Sequence, residues 1–349
     1  MTWRAAFLQQ ARSCEDLGSP FTARLLAGIA ERGLPEGAIA ARIAGWQGDI
    51  GPSGASVPLR LAGALHGLVL EGRAPDLAAV YPPAAPAGAV LAGAVDAALT
   101  AHEDRVMARL DSAPQTNEVA RSAAVIPAAH WLARRFRLPL VLSELGASAG
   151  LNLNFDRYAL QAGGATLGPG DPVLTLAPDW RGQAPVAGPL QIAARAGVDL
   201  APIDPARDRL RLLSFVWADQ AARLSRIAAA LDEAARHPPA VERGDAAGWL
   251  AGRLAAPMPG RLHLIYHTVA WQYFPAAAQQ QALAALQAAG GAARPDAPLA
   301  RFSMEADGQG PGAALRLTLW PGDGTGRDLR MGRADFHGRW IDWQPEEAA

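Results

Sequence analysis

Short apolar runs alternating with helical segments from residue 138 onward predict a doubly wound α/β sheet, preceded by an all-helical domain. Three observations carry this. Residues 1–137 are dominated by Ala, Leu and Arg at helical spacing, interrupted by Gly- and Pro-containing turns. Residues 138–349 switch to short apolar runs with helices between them. At the switch, LPLVLSELGASAGLNLNFDRY (138–158), an apolar run ends in Glu144 and is followed by Gly146, Ser148 and Gly150. That is how a buried parallel strand looks when it enters a tight turn and opens a helix.

In the N-terminal part the breaks fall at Gly18-Ser19-Pro20, Gly33-Leu34-Pro35, Gly51-Pro52-Ser53-Gly54 and Tyr81-Pro82-Pro83. Residues 57–71 set Leu61, Leu65, Leu68 and Val69 on one helical stripe. Residues 89–110 read as one longer helix with Val95, Leu99, Val106 and Leu110 inward. Residues 117–136 start with Asn117 as N-cap and Glu118 in the first turn, and Pro127 should kink or restart that helix. Beyond residue 138, strands are expected at 140–145, 190–194 (extending toward 198), 240–242, 262–267, 300–304, 315–320 and 339–343. Helices are expected at 219–235, 246–254 and 276–289. Only PGDGTGRDLRMGRADFHG separates the last two strands, which predicts an antiparallel hairpin at one edge. Residues 159–183 are rich in turn formers and read as an inserted loop or β-hairpin over the binding face.

Composition narrows the chemistry. Half of the 349 residues are hydrophobic and the formal net charge is −1, so a packed globular protein is expected, without a basic nucleic-acid surface. All 32 cations are arginine, which excludes a P-loop lysine, a Schiff-base lysine and a Ser–Lys dyad. The single cysteine, Cys14, excludes an intrachain disulfide and a cysteine-clustered zinc site. Neither a signal-peptide core nor a membrane span is expected, and cytoplasmic is the default location. The residues leave the oligomeric state open.

An acid followed by a Gly-x-Gly-x-Gly turn is the pattern with which an S-adenosylmethionine-binding methyltransferase holds its cofactor, and Glu144-Leu-Gly146-Ala-Ser148-Ala-Gly150 follows it closely. Glu144, Gly146, Ser148 and Gly150 are then the cofactor-binding residues, although the same geometry suits a dinucleotide or simply a tightly packed turn. Serine at the centre departs from the all-glycine pattern. At the end of the second strand Asp199, or alternatively Asp204, would accept both ribose hydroxyls. Asp245, after the third strand, would meet the adenine amine or else cap the helix that follows. The fourth strand ends in His267 and Thr268, with Trp271 and Tyr273 beyond, so His267 is the candidate general base for a small-molecule or peptide substrate. His263, among apolar neighbours, reads as a buried structural histidine. Asp219 reads as the cap of its own helix, and the remaining histidines show no metal-ligand spacing.

Two other functions fit the same residues. Gly146-Ala-Ser148-Ala-Gly150 is a literal G-x-S-x-G, the nucleophile elbow of a serine hydrolase, and Asp245 with His337, or Asp204 with His267, supplies the chain order. A non-catalytic nucleotide- or adenosyl-binding protein needs the turn without the base.

The segment ELGASAGLNL with Asp156 and Tyr158, GVDLAPIDP (197–205), VWADQAARLSRI (216–227), ERGDA (242–246) and HGRWIDW (337–343) resemble a bacterial family known as domain of unknown function 2332. The resemblance runs through nearly the whole chain. It implies a Rossmann-like, S-adenosylmethionine methyltransferase-type domain over 138–349 behind a helical domain over 1–137, and the family name assigns no activity.

Overall fold

The computed structural model describes residues 2–52, 54–115 and 117–347. Ser53, in one of the expected breaks, lies outside them. Contacts divide the chain into two compact units, one of residues 1–116 with 208–228, the other of residues 117–207 with 229–349.

Helices build the first unit: α1 (Trp3–Asp16), α2 (Pro20–Arg32), α3 (Ala38–Ala44), α4 (Val57–Leu70), α5 (Pro75–Ala78), α6 (Gly88–Ala101) and α7 (Glu103–Leu110). The predicted stripe on α4 packs as expected, with Leu61, Leu65 and Leu68 fully buried and Val69 at its margin. The single helix expected over 89–110 is two. It breaks at His102, and the acids behind it, Glu103 and Asp104, start α7 where an N-terminus favours negative charge. The Glu103 carboxylate also receives the Ala38 amide at 2.6 Å and so caps α3.

After a 3₁₀ turn at Val119–Arg121, α8 (Ser122–Phe136) carries Pro127 inside one continuous helix, without the expected restart. The first strand, β1 (Leu140–Leu145), is buried at every position, as a parallel strand covered on both faces must be. The helix that opens after the turn is a 3₁₀ helix, Leu151–Arg157. The turn-rich insertion forms β2 (Ala159–Ala162), β3 (Ala165–Leu167), β4 (Thr175–Leu176) and β5 (Asp179–Gly182). Of these, β2 and β3 make an antiparallel hairpin with β4 alongside β2.

The chain continues through β6 (Ile192–Asp199), α9 (Arg209–Ser214), α10 (Ala221–Arg236), β7 (Val241–Arg243), α11 (Ala246–Arg253), β8 (Leu262–Thr268) and α12 (Ala276–Gly291). It ends in β9 (Leu299–Glu305), β10 (Ala313–Trp320), β11 (Arg327–Ala334) and β12 (Trp340–Trp343). Nine strands form one sheet in the order β5-β12-β11-β10-β9-β8-β1-β6-β7. From β7 to β9 all neighbours are parallel. Sequence order reverses beside β1, since β6 and β7 lie to one side of it and β8 and β9 to the other.

The expected edge hairpin of 315–320 with 339–343 is not formed. A further strand, β11, lies between them and makes β9–β12 an antiparallel meander, with β5 as the outer edge. In β11, Leu329 and Met331 are buried on either side of the exposed Arg330, and Gly332 sits where a Cβ would meet the Asp342 carbonyl oxygen at 1.9 Å. A half-exposed strand with three arginines and a forced glycine carries little of the apolar-run signal.

Asp219 caps a helix other than its own. Its carboxylate receives the Phe21 amide at 2.8 Å and the Ser19 hydroxyl, at the start of α2. Asp219→Ala is expected to cost about 1–3 kcal/mol, read as a lower urea midpoint at unchanged slope. A midpoint equal to that of the parent protein would refute the cap.

Candidate functional site

The segment between β1 and the 3₁₀ helix takes positive φ at Gly146 (72°), Ser148 (54°) and Gly150 (70°). Gly146 and Gly150 adopt this conformation freely, whereas at Ser148 it costs about 1 kcal/mol or more and has to be held by surrounding bonds. Those bonds come from β6. The Val198 carbonyl accepts the amides of Gly146 (2.9 Å) and Ala147 (3.1 Å), and one Asp199 carboxylate oxygen accepts the Ser148 amide at 2.8 Å. The other Asp199 oxygen accepts the Ala201 amide at 2.9 Å. Gly150 donates to the Ala147 carbonyl at 2.7 Å, and Leu151 to the Asn117 side-chain oxygen at 2.8 Å.

The amides that the sequence suggested for a ligand are therefore largely used within the protein. The glycines serve close packing as well. A Cβ at Gly146 would meet that of Ala270 at 2.5 Å, and one at Gly150 would meet Pro239 and Val241 at 2.7 Å. The Ser148 hydroxyl is the exception, since it is buried without a hydrogen-bond partner among the described residues.

Glu144 is 2% exposed and near the Tyr266 hydroxyl, which lies 3.4 Å from its carboxylate and 3.1 Å from the Asn152 carbonyl. Burial pushes its carboxyl well above the usual range, the Tyr266 hydrogen bond works against this, and the nearby Asp199 charge adds to it. Glu144 thus favours the neutral acid. Asp199 is half-buried and Asp245 exposed, so both reach solvent. Asp245 caps α11 by accepting the Gly248 amide at 2.8 Å. Asp204 holds its own turn through the amides of Ala206 and Arg207. In this way Glu144, Asp199 and Asp245 end or follow the adjacent parallel strands β1, β6 and β7.

His267 is at the end of β8 but fully buried. Its Nδ1 lies 2.8 Å from Glu305, its Nε2 receives the Arg301 Nε–H at 3.1 Å, and Trp271 stacks on the ring at 4.9 Å. Accepting from a guanidinium fixes Nε2 as the unprotonated nitrogen, so Nδ1 carries the proton donated to Glu305. Burial lowers its pKa, the Glu305 hydrogen bond opposes this, and the Arg301 charge lowers it further. With both nitrogens engaged, the ring in this arrangement has no free position for a substrate proton. Neither Arg301 nor Glu305 was legible as its partner, because β9 is distant in sequence and is joined to β8 only by the sheet.

The hydrolase geometry is also not assembled. The serine–histidine contact in this sheet is between Ser143 and His263, at 2.9 Å, while Ser148 has no such partner. No group of three or more His, Cys, Asp or Glu side chains among the described residues is arranged to hold a metal, and no described helix is long and apolar enough to cross a membrane.

The rest of the quoted segment forms a buried frame. Tyr158 donates to the Leu151 carbonyl at 2.7 Å, and the Ser122 hydroxyl bonds the Asn152 side chain at 2.6 Å. Asp156 takes both arms of Arg195, at 2.8 and 2.9 Å. Polar residues at apparently ordinary positions thus lock the segment after the turn.

Two measurements check this account. Gly150→Ala is expected to destabilise by about 2–4 kcal/mol, since positive φ and a blocked Cβ act together; an unchanged urea midpoint would contradict the packing. His263, buried as expected, is lowered to about 3 by burial and by Arg253. Its contribution to stability is complete above the unfolded histidine value of about 6.5 and is lost as pH falls toward 3, at about 1.4 kcal/mol per pH unit. His263→Gln should flatten the stability profile between pH 6 and 4 by about one proton, and parallel profiles would rule this out.

Neither a curated protein nor a solved structure matches the chain. One family profile matches residues 4–343, and by that match the chain belongs to the family described as uncharacterized protein conserved in bacteria (DUF2332).

Proposed function

We propose that the second unit binds an adenosyl compound along the carboxyl ends of β1, β6 and β7, as a Rossmann-like S-adenosylmethionine-dependent methyltransferase acting on a small molecule or peptide. The observation that carries this reading is the row of acids on three adjacent parallel strands, next to the point where strand order reverses. Ligands of open α/β sheets gather at that edge. Each carboxylate oxygen has two acceptor positions, so Asp199 and Asp245 can take ribose hydroxyls and an adenine amine while keeping the amides they already hold. The unpartnered Ser148 hydroxyl is a further polar group that a bound cofactor would satisfy. Glu144, Gly146 and Gly150 contribute by shaping the turn, since their neighbours are protein groups. Methyl transfer from a sulfonium needs in-line approach of the acceptor, and positioning supplies most of the acceleration.

The closed hydrogen bonding of His267 favours a second reading, an adenosyl-binding protein of the same fold without turnover. In the catalytic reading the acceptor must be nucleophilic without help from that ring.

Titration calorimetry with S-adenosylmethionine, S-adenosylhomocysteine and NAD tests the proposal. Both sulfur compounds are expected to bind and NAD to give no heat, with Asp199→Asn and Asp245→Ala each weakening binding about tenfold. Absence of heat with both sulfur compounds would remove the reading.

A further inference from the structure

The first unit contains a cavity of about 300 Å³ walled by α4, α7 and α9, and its lining is rich in arginine. Arg60 comes from α4 and Glu71 from its C-terminal end, Arg105 and Arg109 from successive turns of α7, and Arg211 with Phe215 from α9 and its end. Four guanidiniums face one carboxylate, a formal excess of three positive charges. Glu71 is shared between Arg109, Arg105 at 3.1 Å and, outside the cavity lining, Arg73 at 3.3 Å. Arg60 meets neutral carbonyls of Ala55 and Leu110, which orient its charge without cancelling it. Asp111, which acts on Arg60, is paired with Arg42. The Arg211 Nε is buried with no hydrogen-bond partner among the described residues.

The backbone of α4 is bared where these groups rest. A Cβ at Gly67 would meet the Arg109 guanidinium carbon at 2.6 Å, and one at Gly63 would meet the Phe215 ring at 2.7 Å. Two glycines one helical turn apart thus seat a cation and an aromatic ring against the same helix. Like charges held together on rigid helices repel, and an anion in the cavity relieves that repulsion. Planar guanidinium forks match the oxygens of phosphate and carboxylate groups.

We propose that this cavity binds a small molecule bearing a doubly charged oxyanion, a phosphate monoester or a dicarboxylate, with its apolar part against Phe215. The site is independent of the adenosyl reading, because every residue in it belongs to the first unit.

The test is calorimetric titration of the full chain with inorganic phosphate and, separately, with succinate at low ionic strength. Saturable binding that weakens as salt is added is expected for at least one of them. A response to phosphate alone assigns a phosphate ester, a response to succinate alone assigns a dicarboxylate, and either supports the site. Arg211→Gln and Arg105→Gln should each weaken binding about tenfold, whereas Arg261→Gln, an exposed arginine of the second unit, should leave it unchanged. Arg105 has a 45% exposed side chain, so its variant keeps the fold, as circular dichroism would verify. No binding of either anion at about 10 mM, or variants that bind as tightly as the parent protein, would overturn the proposal.

Discussion

The carboxylate of Asp199 ties the end of β6 to the turn that leaves β1, and the geometry of the sheet's carboxyl edge follows from that bond. Ser148 sits in a backbone region that an L-residue enters only when surrounding bonds over-determine it. Asp199 and the Val198 carbonyl supply them, and the bare Cα of Gly197 lets Ala147 approach within a distance that a Cβ would close to 2.6 Å. The turn, the start of the 3₁₀ helix and the positions of the acids are therefore one mechanical unit.

A second feature is how the protein handles polar groups in its interior. Asn117, Ser122, Asn152, Tyr158 and Tyr266 bond one another's side chains or the backbone around residues 151–152. Buried polar groups are tolerated only when paired, so such a frame has few alternative arrangements and pins the segment in place. Glu144 belongs to this frame through Tyr266, and its burial favours the protonated form. The two histidines of β8 are handled alike, each settled by defined partners and displaced from the ordinary histidine range chiefly by burial.

An all-arginine complement of cations also has structural consequences. Asp156–Arg195, Asp307–Arg333 and Asp335–Arg339 are all two-armed pairs, which a lysine cannot make. In the arginine-lined cavity of the first unit four guanidiniums stand beside one carboxylate, Glu71.

Patterns local to a few residues were legible in the sequence. The helical stripe of α4, the parallel strands β1 and β8, the helices after β7 and β8, and an acid-ended strand entering a glycine turn all follow from hydrophobic period and backbone freedom. The positions of Glu144 and Asp245 at strand ends were legible too, because strand ends can be counted, whereas Asp199 and Asp204 stayed alternatives until β6 was seen to end at Asp199. The partners of each side chain were not legible. That Asp219 caps α2, that Arg301 and Glu305 enclose His267, and that β11 separates two strands expected to pair depend on which distant segments the sheet and helices bring together. A sequence specifies its local periods because they arise from bond rotations within a few residues, whereas hydrogen bonds between remote segments exist only once packing has brought them within about 3 Å.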